Sequence, residues 1–333
     1  MTKKLAIVER LPGHTEVMGG FAALARELGW DVHLLFNRKD AFHFVDYLAT
    51  RLEIANDQVH DWSYINDHDA EFDAILLNTS YVWLEYGFRL QQWAASRRLM
   101  VVHHLPEDVE LNPHGVSLYL TPAVDREKWI FPLYGKPGLR RENPHPSTRS
   151  GLAFSQNQGE VGHPNHADLP ALVTIGALDL KDIAGVSAYM KAGGSVVHFD
   201  RHKCRFFPSD GNYSQQVGLG GAEFMRSLAA FTPPVFLWFP ILPESVYMVF
   251  RFTGALIMGV DLNCVMVMPE RLRRLYGFPE EAVIAYESSA MERLEALREP
   301  SAKQLERRNR LAEWAEERWE RNLEIFRGLL THA

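Results

Sequence analysis

The first half of the chain alternates short apolar runs with stretches of helical periodicity. Residues 5–9 form a strand-length apolar run, and Leu11-Pro12-Gly13-His14 follows as a turn. From Thr15 the spacing becomes helical, with Phe21, Leu24, Ala25 and Leu28 on one face, and Gly29 ends it. Strands are predicted at 32–36, 73–78, 99–103 and 116–120, with helices over 40–53 and 81–97 between them. Strands separated by helices make a parallel sheet with helices on both faces. Ligands of such sheets collect at the carboxyl ends of the strands. Here those ends are residues 9–16, 78–80 and 103–108.

Residues 136–170 break the pattern, being rich in Pro, Gly, Ser, Asn and His. A connection of that length marks a linker or functional loop, so the domain boundary is placed there. The alternation then resumes, with strands at 172–175, 195–199, 235–239, 264–268 and 283–286 and helices at 182–191, 222–230 and 244–260. Residues 246–269 are apolar for most of their length, but Arg251, Asp261 and Asn263 interrupt them. Charges at the centre of a membrane span are costly, so a buried helix, a turn and a buried strand are predicted instead. Residues 301–330 read as one long amphipathic helix, with Leu305, Ala312, Ala315, Trp319, Leu323, Phe326 and Leu330 on a stripe. Glu306/Arg310 and Glu317/Arg321 stand at pairing distance on its other faces. The expected organisation is a first α/β domain (1–135), a linker (136–170), a second α/β domain (171–300) and a final helix (301–333).

Composition adds exclusions. With 333 residues, 47% hydrophobic and 23% charged, the chain is globular and long enough for two domains. A net charge of −7 offers no general attraction to nucleic acid. No membrane span is expected, and peripheral membrane contact stays open. The two cysteines, Cys204 and Cys264, form no disulfide framework and fit a reducing compartment. The opening MTKKLAIVERLPG is no signal peptide, because Glu9 and Arg10 break its apolar run. A cytoplasmic location is therefore expected.

Several chemistries lack their motif. There is no GxxxxGK[ST] loop, no GxGxxG after the first strand, no HExxH and no GxSxG elbow. Gly218-Leu219-Gly220-Gly221 reads as a phosphate-contacting loop or a plain glycine-rich turn. Asp67-His68-Asp69 matches a DxD metal motif but precedes a strand instead of ending one, so it is read as a solvated loop. No metal site is expected.

The order of two doubly wound α/β domains, a linker and a long last helix resembles the GT-B fold of nucleotide-sugar-dependent glycosyltransferases. The segment WFPILPESVYMVFRFTGALIMGVDLNCVMVMPERLRRLYGF, residues 238–278, is similar to the donor-binding segment of that family. The resemblance implies two Rossmann-like domains facing across a cleft, with the last helix crossing back to the first domain. It implies a nucleotide diphosphate sugar as donor, a hydroxyl acceptor such as a glycan or small molecule, and no cofactor. Residues 172–181 look like the first strand and loop of the donor domain, but Ala177 stands where the family loop often carries Arg, leaving Lys181 as the nearby cation. The two-glutamate motif of many retaining members is not intact, since Glu244 has no matching second glutamate. The alternatives are an epimerase of the same fold and a binding protein without turnover.

Candidate donor residues are then Gly176, Lys181, His198, Arg201, Tyr247, Arg251, Thr253 and Gly254. Arg251 offers a planar fork to phosphate oxygens, Thr253 a hydroxyl, and Gly254 a close backbone approach. An ion pair is the structural alternative for Arg251, and core packing for Tyr247. Candidate bases for deprotonating the acceptor hydroxyl are His14, then Glu16, then His103. Helix capping by Thr15 and the helix dipole at Glu16 explain the first loop equally well. The two cysteines have no polarising partner in the sequence and are read as inert.

Overall fold

The structure is a computed structural model that describes residues 2–11, 14–37, 44–80, 87–103, 115–137, 172–175, 196–199, 203–207, 214–217, 236–239, 254–287 and 299–331. The chain divides into two units, one of Met1–Lys136, Val249–Ile257 and Glu316–Ala333, the other of Pro137–Met248 and Met258–Ala315. The sequence's linker falls almost wholly outside the described residues.

The first unit holds a six-stranded sheet: β1 (Lys4–Glu9), β2 (Asp31–Phe36), β3 (Val59–Asp61), β4 (Ala74–Leu77), β5 (Arg98–His103) and β6 (Val116–Tyr119). Every pairing is parallel, in the order β3-β2-β1-β4-β5-β6. Strands covered on both faces must be apolar throughout, and β4 reads Ala-Ile-Leu-Leu, all fully buried. Ala6, Val8, Leu35, Ile75, Leu77 and Val101 form one core layer with Ile65, Phe72, Leu90 and Trp93. A helix, Thr15–Glu27, packs closely on the unit. A Cβ at Gly20 would fall inside Pro132, so that approach needs glycine.

Three sequence expectations change here. β3 was not foreseen, because Val-His-Asp carries no apolar alternation and owes its place to pairing with β2. Asp67-His68-Asp69 is not a loop but two short helical turns, Ile65–His68 and Asp69–Glu71. Thr15 is not the cap: His14 occupies the N-cap position without a side-chain cap bond, and Thr15 is the first, fully buried, helical residue.

The second unit holds a seven-stranded sheet in the order β10-β9-β8-β7-β11-β12-β13. Its strands are β7 (Leu172–Ile175), β8 (Val196–Phe199), β9 (Lys203–Phe207), β10 (Ser214–Val217), β11 (Phe236–Trp238), β12 (Val265–Pro269) and β13 (Val283–Tyr286). Pairing is parallel from β8 through β7, β11 and β12 to β13, whereas β9 and β10 are antiparallel. The sequence reading missed β9 and β10. Only residues 200–202 separate β8 from β9, too few for a crossover, so the chain must turn back. Within this unit Tyr286 Oη donates to the Phe239 carbonyl at 2.6 Å, tying the ends of β13 and β11.

The last helix, Ser301–Thr331, is longer than any other described, and its residues from Glu316 onward belong to the first unit. Its buried positions are Gln304, Leu311, Trp314, Ala315, Trp319, Asn322, Leu323, Phe326 and Leu330. Leu305, expected on that stripe, is 54% exposed, since it sits about 100° around the helix from Gln304. The ion pairs also differ from expectation: Arg310 pairs with Glu313 and Arg321 with Glu324. In the first unit Asn322 Nδ2 donates to the Phe131 carbonyl at 2.6 Å, and its Oδ1 accepts the Phe131 N–H at 3.2 Å. Among the described residues no helix is long and apolar enough to cross a membrane.

Candidate active site at the ends of β1 and β4

The strand order of the first unit reverses between β1 and β4, which have β2–β3 on one side and β5–β6 on the other. Connections leave such a pair of strands toward opposite faces, so a crevice opens at their carboxyl ends. β1 ends in Glu9, and Asn78, Thr79 and Ser80 follow β4. All four are fully buried.

Glu9 is a carboxylate inside the protein, satisfied by donors. Its Oε2 accepts from Asn78 Nδ2 at 2.7 Å and from Thr79 Oγ1 at 2.6 Å, and its Oε1 accepts from the Leu11 N–H at 2.7 Å. Burial disfavours the charged form and outweighs these donors, pushing its pKa up to about 7. Asn78 Nδ2 also donates to the His14 carbonyl at 2.9 Å, which accepts from the Val17 N–H at 3.2 Å as well. The start of the Thr15–Glu27 helix is thereby fixed beside the end of β4.

The structure brings several expected residues to this region. His14, partly exposed, sits at the helix start with its ring not used as a cap. Glu16 lies in the first turn of the same helix, where its charge complements the helix dipole. Its side chain lies against Gly254, the first residue of the Gly254–Asp261 helix and a member of the same unit. A Cβ built on Gly254 would stand 2.5 Å from Glu16 Cγ and 2.7 Å from its Oε1. Two residues proposed for different roles, 238 positions apart, are thus neighbours.

His103 ends β5, one strand further along. It is 1% exposed, its Nε2 lies 3.0 Å from Ser117 Oγ, and its ring is 5.7 Å from that of Tyr119. In the second unit His198 lies on β8 with Thr174 and Arg205 as its register partners. Gly176, Lys181, Arg201, Tyr247, Arg251 and Thr253 lie outside the described residues, as does the glycine-rich turn at 218–221. Cys264 is buried, and burial pushes its thiol up to about 12, so it is no nucleophile near neutral pH.

Among the described residues no group of three or more His, Cys, Asp or Glu side chains gathers as metal ligands would. In the Asp67-His68-Asp69 stretch, His68 bonds Glu71 at 2.8 Å and Asp69 pairs with Arg97 at 2.8 Å. A surface depression of about 360 Å³, lined in part by Arg26, Trp30, Asp31 and Gln58, lies at the amino ends of the strands. That is the edge opposite Glu9, where parallel sheets do not bind their ligands.

Sequence reasoning placed Glu9, Asn78 and Thr79 at the strands' carboxyl ends but gave them no role. The signal was present, as an ionisable residue closing an apolar strand and an Asn-Thr-Ser run closing another. What the arrangement offers is a histidine and a carboxylate at one helix start, backed by a buried carboxyl group that titrates near neutrality.

The sequence matches no family model and no curated protein. Solved structures similar in overall path include the calicheamicin glycosyltransferase CalG4, at 11% identity and TM-score 0.46 over 100% of this chain and 99% of that one. The Streptomyces sp. SF2575 glycosyltransferase SsfS6, in complex with thymidine diphosphate, is similar at 10% identity and TM-score 0.44 over 98% and 99%. A Listeria monocytogenes protein described as a UDP-N-acetylglucosamine 2-epimerase is similar at 11% identity and TM-score 0.44 over 93% and 90%.

Proposed function

We propose that this chain is a GT-B-type glycosyltransferase that moves a sugar from a nucleotide diphosphate sugar to a hydroxyl acceptor, without a metal ion or cofactor. The observation that carries this reading is the carboxyl end of β1, where His14 and Glu16 stand at a helix start over the switch point of a 3-2-1-4-5-6 sheet. In this reading the first unit holds the acceptor, a glycan or a small molecule. The donor is held by Gly176, Lys181, His198 and Arg201, with Arg251, Thr253 and Gly254 at its diphosphate and Tyr247 against the nucleotide. His14 removes the proton of the attacking hydroxyl, a task suited to a group whose ordinary pKa is about 6.5. Glu16 is the second choice and His103 the third. The buried free thiol of Cys264 fits a cytoplasmic setting.

The test is transfer from a panel of nucleotide diphosphate sugars to mixed hydroxyl acceptors, with and without EDTA. Transfer that survives EDTA and falls roughly 10²–10⁴-fold in His14→Ala, with donor binding kept, supports the reading. Interconversion of the donor sugar with no acceptor present would point to an epimerase instead. Donor binding with neither reaction would leave a binding protein.

A further inference from the structure

Asn78 has two amide hydrogens, and both are used, one on Glu9 Oε2 and the other on the His14 carbonyl. Thr79 donates to the same carboxylate oxygen and the Leu11 N–H to the other. One buried side chain therefore ties the exit of β1 to the exit of β4. Through Asn78 it also holds the carbonyl from which the Thr15–Glu27 helix starts. Only a carboxylate accepts at both oxygens at once. A glutamine here would turn its NH₂ toward the Leu11 N–H or toward the Asn78 and Thr79 donors.

We propose that Glu9 is a positioning residue: through Asn78 it holds the start of the Thr15–Glu27 helix, with His14 and Glu16, against the end of β4, and holds it more firmly as the carboxylate than as the acid. The consequence for rate rests on the proposed transfer reaction; the holding does not.

Among the described residues the groups around Glu9 are few, and besides the donors already named the Arg10 N–H bonds its carboxylate. Phe36 is its partner in β2, and β4 contributes Leu77 and then Asn78 and Thr79. The titratable residues of the adjoining loop and helix start are Arg10, whose guanidinium lies 4.9 Å from the centre of the Trp62 ring, together with His14 and Glu16. When Glu9 takes a proton, its new O–H must donate. Thr79 can reverse its hydroxyl to accept, but Asn78 then faces a weaker acceptor. Since Glu9 titrates at about 7, this change falls near neutral pH.

The sign separates positioning from bulk stability. The folded-state pKa is raised, so Glu9 binds its proton more tightly folded than unfolded. The stability it contributes is fully present below about 4.5 and is lost as pH rises through about 7. The order of the His14 segment runs the other way, rising with pH.

Hydrogen exchange of the full chain, read on peptides covering residues 14–20 and corrected for the intrinsic rate, tests this. Between pH 6 and pH 8 the ionised fraction of Glu9 goes from roughly a tenth to nine-tenths, so protection there should rise several-fold, up to about ninefold. In Glu9→Gln and in Asn78→Ala it should be flat. Asn78→Ala leaves the carboxylate with Thr79 and Leu11, so it carries the test even if Glu9→Gln does not fold. In the transfer assay at pH 8, Glu9→Gln should lower kcat by roughly ten- to a hundredfold with the donor KM within about twofold, as displacement of a catalytic group does. A flat parent, or a rise that survives in either variant, would overturn the proposal. So would a Glu9→Gln enzyme that turns over like the parent. The expected exchange pattern with no transfer from any donor would leave the holding role standing and remove the transferase reading.

Discussion

The Nδ2 of Asn78 lies 2.7 Å from the Oε2 of Glu9, joining two fully buried side chains from neighbouring strand ends that are 69 residues apart in sequence. Hydrogen bonds to a charged group are worth about 1.5–3 kcal/mol each, yet burial of the charge still outweighs them, which is why Glu9 titrates near neutrality. A group of that kind at the switch point of a parallel sheet ties the fold to the protonation state of the site.

Glu9→Gln should flatten the dependence of global stability on pH between about 4.5 and 7. The parent loses Glu9's contribution as pH rises through that window, by an amount bounded at roughly 3 kcal/mol, while the glutamine has no proton to lose. Urea midpoints of both proteins at pH 5 and pH 8 measure it. Parallel slopes would mean that Glu9 titrates at an ordinary carboxylate pKa.

Acid should loosen the β3 edge of the same sheet. His33, His60, Tyr64 and His68 stack in a column, with successive ring centres 5.6, 4.1 and 3.9 Å apart. Burial lowers the pKa of His33 and of His60, and for His60 the neighbouring His33 adds to it. A depressed folded pKa means stability that is present above about 6.5 and lost as pH falls below it. His60→Phe keeps a stacked ring without a titrating group, so its stability relative to the parent should rise as pH falls from 7.5 to 5. Denaturant midpoints that keep a constant offset across that range would exclude the effect.

Gly254→Ala should push the partly exposed Glu16 side chain aside at a cost of roughly 1 kcal/mol or less, because the new methyl group meets a flexible side chain and not backbone. The same substitution in a Glu16→Ala background should be neutral or stabilising, since alanine is the better helix former and the clash is gone. A double-mutant cycle by thermal denaturation measures the coupling. Additive effects would show that the two residues do not touch in solution.

Asn322→Ala should cost roughly 1–3 kcal/mol, for the buried N–H of Phe131 loses the Asn322 Oδ1, while the Phe131 C=O loses Asn322 Nδ2 but keeps the Leu133 N–H at 2.8 Å. Arg318 loses its bond to Asn322 Oδ1 as well, though it keeps the Trp129 carbonyl and the Trp129 ring, 3.8 Å away. Chemical denaturation gives the value. A loss under about 1 kcal/mol would mean that water replaces the amide.

The strands at 5–9, 172–175, 264–268 and 283–286 and the long last helix were legible in the chain, because an apolar run or a 3.6-residue stripe reflects burial directly. The position of His14 and Glu16 at a strand's carboxyl end followed from that same alternation. β3, β9 and β10 were not legible. Val-His-Asp and Ser-Gln-Gln-Val are strands because a neighbour supplies their hydrogen bonds, a property of the sheet and not of those residues. Leu305 and Gln304 differ by one position in sequence, and only the packing of the helix decides which is buried. Glu9 shows the same limit at the site. Its place at the end of β1 is written in the chain, but its pKa comes from burial among Asn78, Thr79 and Leu11, and two of those three arrive from another strand.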